Sequence, residues 1–342
     1  MGTWFDESRL DDEAALASVD GLLRELAGSG ARVRKASSDA AEAVGAALAS
    51  AQESRPRAVI AAGPDSRLLR AVLEPWCPVP FVAWPGAGLP GWAGSMDLVV
   101  VLAPERSDPA AASALAEAVR RGCQVVVACQ PGSMVAEHAG GRWTTLLPID
   151  SGDQLANAVV MLDFLHRLGL GPASEADEVA GALDAVAVAC SPHRDLAVNP
   201  AKMLAIALAD ANPVVWGGSV LAARAARRVA ESFRRASGRG ALAGDAEHLL
   251  PVIEAARPRN VFDDPFADDA GEPRTVLVVL DDGADDALVR EQRGRLVAAA
   301  ERRGVRVESL VAEAASEVGR YAWLLATGRY AAAYLQLGLV EE

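Results

Sequence analysis

Short runs of valine, leucine, isoleucine and alanine, each followed by an amphipathic stretch, constrain this chain more than any other feature. They read RAVIAAG (57–63), PFVAW (80–84), DLVVVLA (97–103), CQVVVAC (123–129), TTLLPI (144–149), VVW (214–216), TVLVVLDD (275–282) and VRVESLV (305–311). Most lack the polar alternation of a half-wet strand, so both faces are covered, and the intervening helical stretches can cover them. That pattern predicts a parallel sheet with helices on both sides. The fold class that follows is α/β, with two tandem doubly wound, flavodoxin-like parallel-sheet domains and extra helices. A length of 342 residues accommodates two cores. The break at Gly169-Leu170-Gly171-Pro172 sets the expected division: 1–170, with two leading helices between residues 11 and 54 joined at Gly28–Lys35, and 171–342. The halves share a pattern, since PRAVIAAGPDSRLLRAVLE and NPVVWGGSVLAARAARRVAE both run polar-proline, apolar strand, glycine, amphipathic helix.

Charge and residue scarcity exclude whole classes of function. A formal net charge of −13 argues against a nucleic-acid partner, which needs a basic surface. It also disfavours an anionic ligand unless a local positive site exists. No apolar run approaches the roughly 18 residues of a membrane span. The start, MGTWFDESRLDD, lacks the basic and apolar regions of a signal peptide, and Asp6 argues against myristoylation of Gly2. A cytoplasmic protein is therefore expected. Cys77, Cys123, Cys129 and Cys190 lack metal-ligand spacing and read as buried free thiols, so no metal and no cofactor are expected. The acidic loop FDDPFADDAGEP (262–273) reads as solvated rather than as a calcium loop. Lys35 and Lys202 are the only lysines; His138, His166, His193 and His248 are the only histidines.

One stretch, Asn199 to His248, concentrates the possible chemistry. The strand Val214–Trp216 stops at Gly217-Gly218-Ser219, and a long Ala/Arg helix begins at once. Glycines admit a close ligand, and the unpaired N–H groups of a helix start favour an anion. The alternative is a tight turn with Ser219 as the helix N-cap. Arg224, Arg227, Arg228, Arg234, Arg235 and Arg239 make the region basic, either for phosphate binding or as a solvated face paired with Glu231 and Asp245. Lys202 reads either as an anion contact or as an interdomain ion pair. Trp216 is a core residue or a sugar-lining one, and Pro192-His193-Arg194-Asp195 reads as a turn in preference to a His–Asp dyad.

NPAKMLAIALADANPVVWGG, the helix carrying AARR and the tail RYAWLLATGRYAAAYLQLGL resemble the bifunctional phosphoglucose/phosphomannose isomerases, and among them the TobH-like branch. The resemblance is specific over about 195–250 and 320–338. It implies two SIS-type domains, a homodimer, and a small-molecule sugar phosphate interconverted without metal through an enediol(ate). Such chemistry needs a base between C1 and C2, an acid–base group for the ring oxygens, and donors for the phosphate. The family places a Ser/Thr-rich phosphate loop in the first domain, an Asn-Glu-Asn base segment in the second, an Asn-His pair and a lysine near the C-terminus. Here the loop is PERSDPAAAS, where Ser107 is the first hydroxyl and Glu105 and Asp108 oppose a phosphate. The base position falls near Arg235, with Glu231 the nearest helical carboxylate; pairing of those two is the alternative. His248 stands for the family histidine, preceded by Glu247 instead of asparagine, and no lysine follows Lys202.

The candidates are thus His248, Glu247 and Glu231 for catalysis, and Gly217, Gly218, Ser219, Arg235, Lys202 and Ser107 for ligand binding. Two functions follow. One is a sugar-phosphate-binding SIS protein with degenerate catalytic positions. The other is an active aldose–ketose isomerase on glucose-6-phosphate, mannose-6-phosphate and fructose-6-phosphate.

Overall fold

The valine-rich runs form strands because β-branched side chains fit a pleated surface buried on both faces. The structure, a computed structural model, describes residues 3–50, 55–256 and 274–341. Gly2 and the acidic stretch 262–273 lie outside them. The chain opens with β1 (Thr3–Phe5), a 3-10 turn (Glu7–Leu10), α1 (Glu13–Leu16) and α2 (Asp20–Ala27). By its contacts it divides into two units: Ser29–Gly181, and the segment up to Gly28 together with Ala182 onward. This division lies inside a helix beyond the glycine turn at residues 169–172, and it separates the two leading helical stretches.

The Ser29–Gly181 unit contains α3 (Ser29–Ser50), β2 (Val59–Ala62), α4 (Ser66–Leu73), β3 (Phe81–Trp84), β4 (Leu98–Ala103), α5 (Pro109–Arg120), β5 (Gln124–Cys129), α6 (Met134–Glu137), β6 (Thr144–Pro148) and α7 (Gln154–Arg167). Its strands, all parallel, lie in the order β3-β2-β4-β5-β6. The loop expected at residues 28–35 is helical instead, because α3 starts at Ser29. Arg32 explains part of this: from the first turn of α3 it bonds Asp153 at 2.9 Å, while Asp153 caps α7 through the Leu155 and Ala156 amides. Ile60, Val99, Val101, Val125 and Val127 form the core with α5.

A further helix, α8 (Ala176–Ala189), crosses the division. The second unit then continues with α9 (Pro200–Ala207), β7 (Ala211–Gly217), α10 (Val220–Ser237), β8 (Leu242–Ala243), α11 (Ala246–Glu254), β9 (Arg274–Asp281), α12 (Ala287–Arg303), β10 (Arg306–Val311), α13 (Glu317–Gly338) and β11 (Leu339–Glu341). Its main sheet, again parallel, has the order β10-β9-β7-β8. Two tandem doubly wound sheets are therefore present, as the apolar runs predict. The expected pair of closing helices is a single helix, α13, with residues buried around its whole circumference. It can be so because α9, α10 and the N-terminal strap all cover it. The strap explains the order of residues 3–11. β1 pairs antiparallel with β11, the Asp6 amide donates to the Gly338 carbonyl at 2.8 Å, and Leu10 is fully buried. All four cysteines are free thiols; Cys123, Cys129 and Cys190 are buried, and Cys77 is half-buried.

Candidate functional site

Parallel sheets offer ligands the crevice at the carboxyl ends of their strands, where the chain's winding direction reverses. In the second unit β7 is followed by β8 on one side and then by β9 on the other, so the reversal lies between β7 and β9. Gly217 pairs in register with Leu280, which brings the Gly217-Gly218-Ser219 turn beside Asp281-Asp282-Gly283. β8 ends level with Val215, so the loop leading to α11 rises at the same edge.

The turn is built by close contact. A Cβ on Gly217 would overlap the Ala222 backbone in the first turn of α10, and one on Gly218 would overlap Val289. Neither glycine has a positive φ, so tight helix–strand approach, not an unusual backbone, demands them. Ser219 is the N-cap of α10, its Oγ accepting from the Ala222 amide at 3.0 Å, and its hydroxyl donates to Asp282. Reading the strand as a local pattern passes over Asp282. Its signal is Asp-Asp-Gly at the carboxyl end of an apolar run. The surrounding carboxylates are partly neutralised: Asp281 pairs with Arg293, Asp285 with Arg290, and Asp286 caps α12 through the Leu288 amide at 2.8 Å.

The remaining candidates are distributed over the unit. His248, in the first turn of α11, has a side chain 81% exposed, with Nδ1 3.9 Å from Asp245. Glu247 turns to Arg295, whose two terminal nitrogens donate to it at 2.6 and 3.4 Å. Those bonds, with the guanidinium charge, hold its carboxyl below the ordinary carboxylate range. Glu231 is clamped within its own helix, by Arg228 at 2.7 Å and Arg235 at 2.6 Å. α10 runs back from the carboxyl edge, so Arg235 stands about 24 Å along it from Ser219 at 1.5 Å per residue. Glu231 and Arg235 therefore sit far from the edge that carries Ser219 and His248.

Of the two readings of Lys202, the anion contact requires a correction and the ion pair is present. Lys202 is 0% exposed, and its ammonium donates to Asp11 at 2.5 Å, the Pro192 carbonyl at 2.8 Å and the Arg194 carbonyl at 3.2 Å, beneath the Tyr334 ring. All three donors are used, so no anion reaches it, and its carboxylate partner comes from the same unit instead of across domains. Trp216 is core, 2% exposed. In the Ser29–Gly181 unit, Ser107 is exposed in the loop after β4, while Asp108 beside it caps α5 by accepting from the Ala111 amide at 2.9 Å. Among the described residues no three His, Cys, Asp or Glu side chains group to hold a metal ion, and no helix is long and apolar enough to cross a membrane.

Residues 197–338 match the family model of the bacterial phospho-glucose isomerase C-terminal SIS domain. Solved structures cover nearly the whole chain. Tagatose-6-phosphate ketose/aldose isomerase from Escherichia coli superposes with a TM-score of 0.67 at 12% identity, covering 92% of each chain. This is the double SIS-type fold. The C-terminal domain of glucosamine-fructose-6-phosphate aminotransferase from Francisella tularensis has it too, with a TM-score of 0.60 at 11% identity over 90% of this chain and 96% of that one. A glucose-6-phosphate isomerase like protein from Thermus thermophilus gives 0.53 at 18% identity over 96% and 92%. No curated protein sequence matches. At these identities the SIS-type likeness is one of fold, and the chemistry rests on the residues of this chain.

Proposed function

We propose that this protein binds a phosphorylated sugar on its SIS-type scaffold without isomerising it. The observation that carries the reading is the state of Glu231, which stands far along α10 from the β7/β9 edge and is clamped there. The carboxylate nearest the family's base position has both oxygens taken by arginines of its own helix, at 2.7 and 2.6 Å. A base in that state must break two charge-assisted bonds before it accepts a proton. His248 and Glu247 support the same reading, the first turned to solvent and the second bonded to Arg295.

In this reading the β7/β9 edge takes the sugar. The Asp282 carboxylate and Ser219 hydroxyl, already bonded to each other, exchange that bond for bonds to sugar hydroxyls. Gly217 and Gly218 let α10 start close against β7 and so hold Ser219 at that edge. The second reading, an active aldose–ketose isomerase, is favoured by one feature: Asp282 is a carboxylate at the place where a base would be useful.

Coupled turnover of fructose-6-phosphate, glucose-6-phosphate and mannose-6-phosphate, with thermal melts in each sugar, separates the two. The expected result is no turnover, with a melting temperature raised by at least one sugar and the rise lost in Ser219→Ala. Turnover that falls about a hundredfold or more in Asp282→Asn or His248→Ala, the scale of a lost general acid–base group, establishes the isomerase instead.

A further inference from the structure

The amino ends of the strands in the Ser29–Gly181 sheet carry large apolar side chains in the open, on the edge away from the ligand crevice of a doubly wound sheet. Trp92 and Met96 stand in the loop leading into β4, 49% and 66% exposed, and Trp143 immediately precedes β6, 46% exposed. Single exposed apolar side chains are ordinary, whereas a group of them marks an interaction site.

The loop that presents them is tied down. Arg57, just ahead of β2, donates two bonds to the fully buried Asp97, at 2.9 and 2.6 Å, and a third to the Trp92 carbonyl at 3.0 Å. Asp97 also accepts from the Gly94 amide at 2.8 Å, and Arg121 donates to the Pro90 carbonyl at 2.7 Å. Each indole has a guanidinium over it, Arg57 at 5.7 Å from the Trp92 ring and Arg142 at 4.7 Å from the Trp143 ring. The nearby carboxylates are already taken, Asp97 by Arg57 and Glu117 by Arg120 and Arg121. Arg142 has no carboxylate partner among the described residues. In a chain of net charge −13, this edge is a cationic and aromatic island.

We propose that the edge docks an acidic, extended segment of another protein that carries two apolar side chains four residues apart. Tryptophan, methionine and arginine are the residue types that protein interfaces favour. The sheet order sets β2, β4, β5 and β6 side by side, so the strand starts beside Trp92 and Trp143 lie about 14 Å apart at ~4.8 Å per strand. An extended chain covers that distance in four residues at about 3.4 Å each, and its residues i and i+4 point to the same side. The apolar pair then meets the two indoles, and the carboxylates between them meet Arg57 and Arg142. A membrane or a nucleic acid would face the repulsion of the whole acidic chain, whereas a short segment meets only charges within a Debye length of about 8 Å. The proposal is independent of whether the protein binds or isomerises a sugar.

The test titrates a fluorescein-labelled heptapeptide, DLDEDLD, against the whole chain by fluorescence anisotropy. Saturable binding is expected, weakened by added salt and weakened about tenfold or more by Trp92→Ser, Trp143→Ser or Arg142→Ser. Trp84→Ser, at the carboxyl end of β3, leaves the binding unchanged. All these side chains are exposed, so thermal melts of the variants stay near the wild-type midpoint. The proposal is overturned by an absence of binding, by equal binding of the peptide with serines for its leucines or lysines for its acids, or by binding that all three variants retain. Loss of a wild-type dimer in the same variants, or of binding to phosphatidylserine vesicles or single-stranded oligothymidine, gives the edge to another occupant and equally overturns it.

Discussion

Lys202 shows how a residue's type leaves two roles open that its burial separates. As one of two lysines, near a helix start, it reads as an anion contact or an ion pair, and it is a buried cation neutralised by Asp11 from the N-terminal strap. The pair is asymmetric, because Asp11 keeps a side chain 57% exposed while Lys202 has none. Asp11→Asn leaves a buried charge short of a counter-ion and is expected to cost about 1–3 kcal/mol by urea unfolding. Lys202→Met removes the charge itself and costs less than Asp11→Asn. The opposite ranking would mean that the ion pair is not the source of the stability. Beneath the strap, burial pushes the Cys190 thiol and the Tyr330 phenol each up to about 12, and raises Tyr334 as well, whose hydroxyl donates to the Cys190 carbonyl at 2.6 Å. The folded state therefore holds these protons more tightly than the unfolded chain. Their contribution is complete below the ordinary values of 9.0 and 10.0 and is lost as pH rises toward about 12. The urea midpoint should fall steadily over that window, and native Cys190 should resist a thiol reagent at about pH 8 until the protein unfolds.

At the scale of elements, α10 explains why the Gly-Gly-Ser turn looks like a ligand loop. Its first turn sits so close to β7 that Ala222 occupies the space of a Gly217 side chain. Gly217→Ala should cost about 1–3 kcal/mol, the range for overpacking, with a matching fall in the urea midpoint. Gly294→Ala in α12 should do the reverse, adding up to about 1 kcal/mol from helix propensity, since an added Cβ meets nothing within 4 Å among the described residues. The contrast distinguishes a glycine required by its own fold from one that its fold does not use. The helix also sets the length scale that separates the basic end, with Glu231 and Arg235, from the Ser219 end. Sequence spacing along one helix shows that Glu231 and Arg235 share a face. It does not show which sheet edge that face accompanies.

For the whole molecule, the two units repeat one plan with different completeness. The Ser29–Gly181 sheet has five parallel strands, the other has four, and each reverses direction beside its first strand. The strap, α1 and α2 join the second unit although they precede the first in sequence. Apolar periodicity carries no record of which core a short amphipathic helix will cover, so this exchange was illegible in the sequence. The β7/β9 edge was half legible. Gly217, Gly218 and Ser219 announce themselves as a turn after a strand, whereas Asp282 comes beside that turn only when two strands distant in sequence lie side by side.

By itself the sequence determined the class of fold, because strands apolar on both faces leave a helix-covered parallel sheet as the way to bury them. It also determined the shortage of imidazole and amine groups, since a chain with four histidines and two lysines has few places to put them. Tertiary structure decided which of those groups remain accessible. Lys202 went to Asp11, Glu247 to Arg295 and Ser219 to Asp282, and each pairing joins segments brought together only by the winding of the chain. Local pattern specifies what a segment can bury. The partner of a polar group depends on where the chain returns.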